Sequence, residues 1–530
     1  MTSPTQLRSS LVPYDKFPLQ DLLNRAINRV PGNVAVIDGD NTYTYSQLGE
    51  YSDRLASALV GLGVKPGDRV AILAPNCVEF VISFYGIVKA GAIVTTVNSG
   101  YREREIAHQL NDSGAETLIV HPVLKPMSDA ARSETPALAR EIVMEPDSSD
   151  PNSFWGILEN ASPVPPSIPA DPVNDVAVLP YSSGTTGLSK GVMLTHFNLV
   201  SNVQQFLNRK DETSVIGAND VLLTHLPLFH IYGMNVLMNS AIGAGCAQVM
   251  MGRFDMDEFL GLMSRHRVSV LFTVPPVGLG LTQYPGVADH DLSSVRVGFF
   301  GAAPLSAEMQ LRIQDVMGFP IIQGYGMTEA SPVTHADFLE PHLTRHGSIG
   351  PALPDTEQKV VDVETGETEL PPNEAGELMV RGPQVMKGYY NNPQATRETL
   401  TEDGWLHTGD IVRMDPDGYV WVLDRLKELI KYKGFQVPPA ELEGVLLEHP
   451  GIADAAVIGK DDLESGEIPK AFVVTTPGTE ISAEDVMSFV AERVATFKHV
   501  REVEFIDAVP KNPSGKILRR NLVELERSRS

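Results

Sequence analysis

The sequence predicts an α/β protein: a large N-terminal part of several subdomains built on parallel sheets, with a small β-rich unit, followed by a small α+β C-terminal domain. Three observations lead there. At 530 residues the chain exceeds what one hydrophobic core organises, and about three compact units are expected. Apolar runs alternate with amphipathic stretches for most of the length, the pattern of crossover units feeding a mainly parallel sheet. Beyond about residue 340 the runs shorten and are punctuated by Gly, Pro and Asp, which favours a smaller β-rich unit.

In chain order, residues 34–37, 69–73 and 92–96 read as strands, with amphipathic helices over 46–61 and 78–90 between them. A Pro-rich connector at 162–172 should be extended and exposed. Strands are expected at 176–179, 192–195, 268–272 and 295–300, with alternation running from 221 to 324. Short strands at 376–382 and 418–424 fall in the β-rich unit of about 340–424, and helices are expected at 439–448 and 483–495. The expected division is 1–424 and 425–530. No internal repeat of 20 to 50 residues and no low-complexity tract interrupts it.

A hydrophobic share of 42% with 21% charged residues is that of a globular enzyme and lacks the signature of disorder. No run of 18 apolar residues occurs and the first residues lack an apolar stretch behind a basic one, so a cytoplasmic protein without transmembrane segment is expected. The two cysteines, Cys77 and Cys246, each sit in an apolar run and read as buried free thiols. A net charge of −25 argues against nucleic acid or anionic membranes as partners. Two basic islands break the acidic background, at 427–433 and 511–520. Solvated loops are one reading of them, and contacts to a polyanionic small molecule the other.

The stretch GTTGLSKGV, residues 184–192, contains G-x-S-x-G, the pattern of a hydrolase nucleophile elbow centred on Ser189. An elbow needs a strand entering its first glycine and a helix leaving its second. Here seven residues separate the preceding strand from Gly187, and a strand-like run follows Gly191. A Walker A loop fails too, because the fifth residue after Gly184 is Ser189 and Lys190 is followed by glycine. What remains, SSGTTG with a lysine, combines backbone N–H groups, hydroxyls and a mobile cation, a phosphate-binding composition. A Ser/Gly-rich turn is the alternative.

Four further segments accompany it: Leu228-Phe-His-Ile-Tyr-Gly233, Gln323-Gly-Tyr-Gly-Met-Thr-Glu329, Gly404-Trp-Leu-His-Thr-Gly-Asp410 and Asp424-Arg-Leu-Lys-Glu-Leu-Ile-Lys-Tyr-Lys-Gly-Phe-Gln436. With the terminal Pro-Ser-Gly-Lys516, this set in this order resembles the AMP-forming acyl-CoA synthetases over essentially the whole chain, and most closely the 4-coumarate-CoA ligase and luciferase branch. One departure is Ser189, where that family usually carries proline.

The resemblance implies a ligase using ATP and CoA as co-substrates with Mg²⁺. A carboxylate attacks the α-phosphorus of ATP to give acyl-adenylate and pyrophosphate, and the CoA thiol then attacks the activated carbonyl. By resemblance, Ser182, Ser183, Gly184, Thr185, Thr186 and Lys190 hold the β and γ phosphates, Thr328 donates to the α-phosphate and Glu329 helps hold Mg²⁺. Gln323, Gly324 and Tyr325 belong to the nucleotide site; Asp410, an acceptor-only group, suits the ribose diol, with Arg425 adding a donor. Lys516 bridges carboxylate and α-phosphate, and His230 stands where the acid and the thiol meet. The small C-terminal domain is then mobile about a hinge at Lys427, bringing Lys431, Lys433 and Gly434 to the thioester-forming face.

The same resemblance implies an acyl pocket of Tyr232, Asn235, Thr273, Phe299, Gly301, Ala302, Gly324, Gly326, Pro332 and Val333. Tyr232 and Asn235 are expected to reach a ring hydroxyl. Phe299 stands where the plant enzymes commonly carry lysine, which points to a hydrophobic aryl acid of the cinnamate kind first and a medium- or long-chain fatty acid second. More distant alternatives are a luciferase-like monooxygenase, although the chain ends Arg-Ser-Arg-Ser without a peroxisomal signal, a carrier-loading adenylation enzyme, and the G-x-S-x-G hydrolase. A monomer or homodimer is expected.

Overall fold

The computed structural model describes residues 7–146, 149–182, 189–208, 215–303, 305–426, 428–432, 435–462, 465–494, 496–512 and 515–529. Two eight-stranded sheets dominate. One runs Val333–Ala336, Ile321–Gly326, Val297–Phe300, Val270–Thr273, Val221–Thr224, Ala247–Met250, Val34–Asp38 and Asn41–Thr44 in spatial order, parallel except at its two edges. Its central strands, VLFT and VGFF, are buried at every position, as a parallel sheet covered on both faces requires. The other is ordered Gly388–Tyr389, Lys190–Thr195, Val176–Val178, Ile93–Val97, Arg69–Leu73, Thr117–Val120 and Arg140–Val143, with Tyr181–Ser182 pairing Lys190–Thr195 off that path.

The strand, helix, strand pattern of the first hundred residues is present, but its first strand belongs elsewhere. Val34–Asp38 pairs with Ala247–Met250, whereas Arg69–Leu73 and Ile93–Val97 build the second sheet. The helix Val78–Lys89 explains the split: every residue but Glu79 is buried, so it packs as a layer rather than on a surface. Its one cation, Lys89, pairs with Asp53 at 2.6 Å.

Local signals set the ends of the helices. Thr44 and Gln47 form a reciprocal cap on Tyr45–Gly61, as Thr195 and Asn198 do on His196–Leu207. Gly114 closes Glu103–Ser113 with φ +64°, a conformation glycine adopts without strain. The β-rich unit is a four-stranded antiparallel sheet, Glu357–Val361, Ala375–Arg381, Leu406–Met414 and Val420–Arg425. A last sheet joins Phe435–Val437, Ile430–Tyr432, Gly466–Thr475, Ile452–Asp462 and Glu502–Phe505, backed by the helices Pro439–Leu447, Ala483–Ala491 and Arg519–Arg527. Both cysteines are buried free thiols. Among the described residues no helix is long and apolar enough to cross a membrane.

Candidate active site

A cavity of about 940 Å³ opens where the strands Val297–Phe300 and Ile321–Gly326 end, the place where parallel α/β sheets hold ligands. Phe299, Gly301, Ala302, Gly324, Gly326, Pro332, Val333 and Tyr232 all line it. Phe299 is held by an aromatic cluster, 5.5 Å edge-on to Phe206 and 5.4 Å from its cross-strand partner Phe272. Its ring lies over Gly324, where an added Cβ would stand 2.2 Å from Cζ, so the close approach requires glycine. Tyr232 begins a π-helical stretch, Tyr232–Asn239, a widened turn of the kind found at functional sites.

The polar end of the cavity is formed by Ser182, Lys190, Thr328, Glu329, Tyr325, Thr408, Gly409 and Arg425. Glu329 is buried; its Oε1 accepts from Ser182 Oγ at 3.1 Å and from the Tyr389 hydroxyl at 2.8 Å. Lys190 Nζ stands 5.1 Å over the Tyr389 ring. Asp410 lies just behind the lining, with Arg425 Nε 3.1 Å from one oxygen and the Tyr325 hydroxyl donating to the other. Burial first, then the Asp410 charge, holds the Tyr325 phenol well above its ordinary range, so it remains a donor. Glu377 fixes the turn that presents Asp410 by accepting from Gly409 N–H at 2.9 Å and pairing with His407 at 3.0 Å.

Lys516 enters the same cavity from the C-terminal segment. Its loop closes through a bridge between Lys511 and Ile517, and Asn512 Oδ1 accepts from Lys516 N–H at 2.8 Å. Gly515, at φ +80°, passes so near Pro276 that a Cβ would lie 3.0 Å from its Cγ. Burial, then repulsion by Arg425, brings the Lys516 ammonium down to about 8. His230 lines the cavity too, and burial, then Lys516, takes its imidazole down to about 4. Nδ1 accepts from Tyr232 N–H at 3.3 Å, so in the neutral ring Nε2 carries the hydrogen.

Besides Asp410, four expected side chains, those of Asn235, Thr273, Gln323 and Lys431, do not line the cavity. Asn235 is buried and donates to the Ser331 and Leu199 carbonyls at 2.5 and 3.4 Å while accepting from Asn239 at 2.9 Å, so both its donors are committed away from the cavity. Thr273 is fully buried, and its carbonyl accepts from Tyr232. Gln323 donates to Gln310 at 3.0 Å, away from the site. Tyr232 itself has spent its proton on the Phe299 and Thr273 carbonyls at 3.2 and 3.3 Å, so toward a ligand its oxygen only accepts. Lys431 is exposed outside the cavity, its N–H on Glu467 at 2.6 Å. Ser183, Gly184, Thr185, Thr186, Lys427, Lys433 and Gly434 lie outside the described residues. Sequence reasoning missed Val236, Tyr389, Glu377 and His407, all of which line the cavity. Only His407 carried a signal, its place beside Asp410 in Gly404-Trp-Leu-His-Thr-Gly-Asp410.

The strand Lys190–Thr195 leaves directly from Ser189 where an elbow would need a helix, which excludes the hydrolase arrangement.

The AMP-binding enzyme family model matches residues 23–390, and the AMP-binding enzyme C-terminal domain matches 441–516. A 4-coumarate--CoA ligase of Pinus taeda is 41% identical over 516 residues, covering 96% of this chain and 95% of its own. 4-Coumarate--CoA ligase 2 of Oryza sativa subsp. japonica is 43% identical over 498 residues, covering 91% and 87%. Among solved structures, the anthranilate CoA ligase AuaEII in complex with anthranoyl-AMP superposes with a TM-score of 0.90 at 28% identity, covering 96% and 97%. The chain belongs to the AMP-binding enzyme family and is an AMP-forming acid–thiol ligase.

Proposed function

We propose that this ligase activates a hydrophobic aryl acid of the cinnamate kind and transfers it to CoA. The observation that carries the acid is Phe299 lying over Gly324, which gives the acyl end an aromatic wall and no cation. The names of the relatives, and the anthranoyl-AMP bound by the solved neighbour, support an aryl acid. Replacing a cation by phenyl favours an apolar tail by about 1–3 kcal/mol. Tyr232 still accepts from a ring hydroxyl, but Asn235 does not reach it. The expected order of kcat/KM is therefore cinnamate, then 4-coumarate within about tenfold, with octanoate and palmitate below. A larger preference for 4-coumarate, or a fatty acid in first place, overturns this reading of the pocket.

In the first step two anions approach, and the groups around the cavity supply the neutralisation. Ser182, Lys190 and the segment Ser183, Gly184, Thr185 and Thr186 hold the β and γ phosphates, and Thr328 donates to the α-phosphate. Asp410 keeps lone pairs for the ribose hydroxyls while Arg425 orients it. The buried carboxylate of Glu329, facing Ser182, fits Mg²⁺, which is commonly held by one or two carboxylates and substrate phosphates. When bound, that ion neutralises phosphate oxygens. Lys516 bridges the acid and the α-phosphate, and neutral His230 offers Nε2–H at the acyl carboxylate.

Lys516 must be charged for this role. Its acidity near 8 predicts that adenylation kcat/KM is flat below that pH and falls about tenfold per unit above it, as the ammonium loses its proton. His230, neutral above about 4, adds no limb between 5 and 9. Pyrophosphate release against pH tests this: in Lys516→Arg the alkaline limb should vanish, and its persistence assigns the limb to another group.

For the second step the units 1–424 and 425–530 rotate about Lys427, withdrawing Lys516 and presenting Lys431, Lys433 and Gly434. The exposed position of Lys431 in the present conformation supports a second arrangement. A cytoplasmic location accords with two buried free thiols.

A further inference from the structure

The phosphate-binding reading of residues 183–186 requires that both ends of that segment be held still. Tyr181–Ser182 and Lys190–Thr195 pair antiparallel, Ser182 opposite Lys190, which closes its base. The helix Glu103–Ser113 then grips both sides of this base. Asp112 accepts from the Tyr181 hydroxyl at 2.6 Å on the incoming side. On the outgoing side His108 Nε2 lies 3.3 Å from the Ser189 carbonyl, and since a carbonyl only accepts, that nitrogen carries the hydrogen. His108 and Asp112 are one turn apart and share a helix face.

The helix is itself anchored to the sheet. Fully buried Gln109 donates to Thr95 Oγ1 and to the Thr96 carbonyl, both at 3.0 Å. Thr95 Oγ1 donates to the Leu179 carbonyl at 2.9 Å, two residues before Tyr181, and Thr96 Oγ1 to the Phe229 carbonyl at 2.8 Å, beside His230. These hydrogen bonds, linked through the helix backbone between His108 and Gln109, join the acyl side of the cavity to Ser189 and its neighbour Lys190. Tyr101, His108, Ser189 and Lys190 line one cavity. A serine at 189 lacks the fixed φ that a proline would impose, so its restraint must come from side chains.

We infer that His108 is a positioning residue for the first half-reaction, holding the Ser189 end of the phosphate segment so that Lys190 stays aimed at the β and γ phosphates. This rests on the adenylation reading above. It is tested by ATP–pyrophosphate exchange in the full-length enzyme with cinnamate, for His108→Leu and His108→Gln, beside thioester formation from supplied cinnamoyl-adenylate. His108→Leu should raise KM for ATP by roughly three- to tenfold, the equivalent of one hydrogen bond, with kcat changed less. The thioester half-reaction, which involves neither the β nor the γ phosphate, should keep its rate. His108→Gln, which retains a donor, should stay near wild type. Wild-type KM in His108→Leu, equal loss in the thioester half-reaction, or a His108→Gln enzyme as impaired as His108→Leu overturns the inference. Absence of exchange by the wild-type enzyme with cinnamate and with octanoate alike would instead sink the adenylation reading.

Discussion

Replacing Lys516 by alanine should slow adenylation by roughly 10² to 10³, the usual loss on deleting one preorganised electrostatic stabiliser. Thioester formation from supplied acyl-adenylate should keep its wild-type rate. The reason lies in where the lysine stands. Its loop is pressed against Pro276 through Gly515, and its ammonium is buried enough to be brought down to about 8, so its charge acts across a poorly solvated gap. It shares the cavity with Thr328 and His230, where the carboxylate and α-phosphate are proposed to meet. Once the phosphoanhydride is cleaved no step needs it there. Stopped-flow measurement of pyrophosphate release, beside CoA consumption from the adenylate, separates the two steps. Equal damage to both contradicts the rotation about Lys427.

Asp410→Ala should show the opposite symmetry, impairing both half-reactions by roughly 10² or more, because ribose is present in ATP and in acyl-adenylate alike. Hydrogen bonds to a charged acceptor contribute about 1.5–3 kcal/mol each, and a ribose diol can donate two. The substitution also strips the half-buried Tyr325 hydroxyl and the Arg425 guanidinium of their shared partner. Asp410→Asn should recover part of the loss, since the amide keeps one acceptor. Isothermal titration with AMP checks binding apart from chemistry: an Asp410→Ala enzyme with wild-type affinity for AMP places the ribose elsewhere.

Much of this was legible in the sequence because it is local. Period-two runs and capping pairs such as Thr44 with Gln47 mark strands and helix starts within a few residues, and the strands at 69–73, 176–178, 297–300 and 420–425 stand where the apolar runs put them. The motifs are local too, since loops that hold phosphate need their glycines and hydroxyls adjacent, and they sufficed to indicate the family and the cavity residues Phe299, Gly324, Thr328, Arg425 and Lys516.

What tertiary structure alone decided is where each polar side chain spends its hydrogen bonds. Asn235 is consumed by a carbonyl 96 positions away, Gln323 turns to a neighbouring helix, and Tyr232 gives its proton to a carbonyl 67 positions away. The strand Val34–Asp38 likewise joins a sheet whose other members come mostly from beyond residue 220. Periodicity specifies which face of an element is apolar and leaves its partner open. Partner choice depends on the packing of distant elements and on the need to satisfy every buried donor and acceptor, a condition met only once the whole chain is folded.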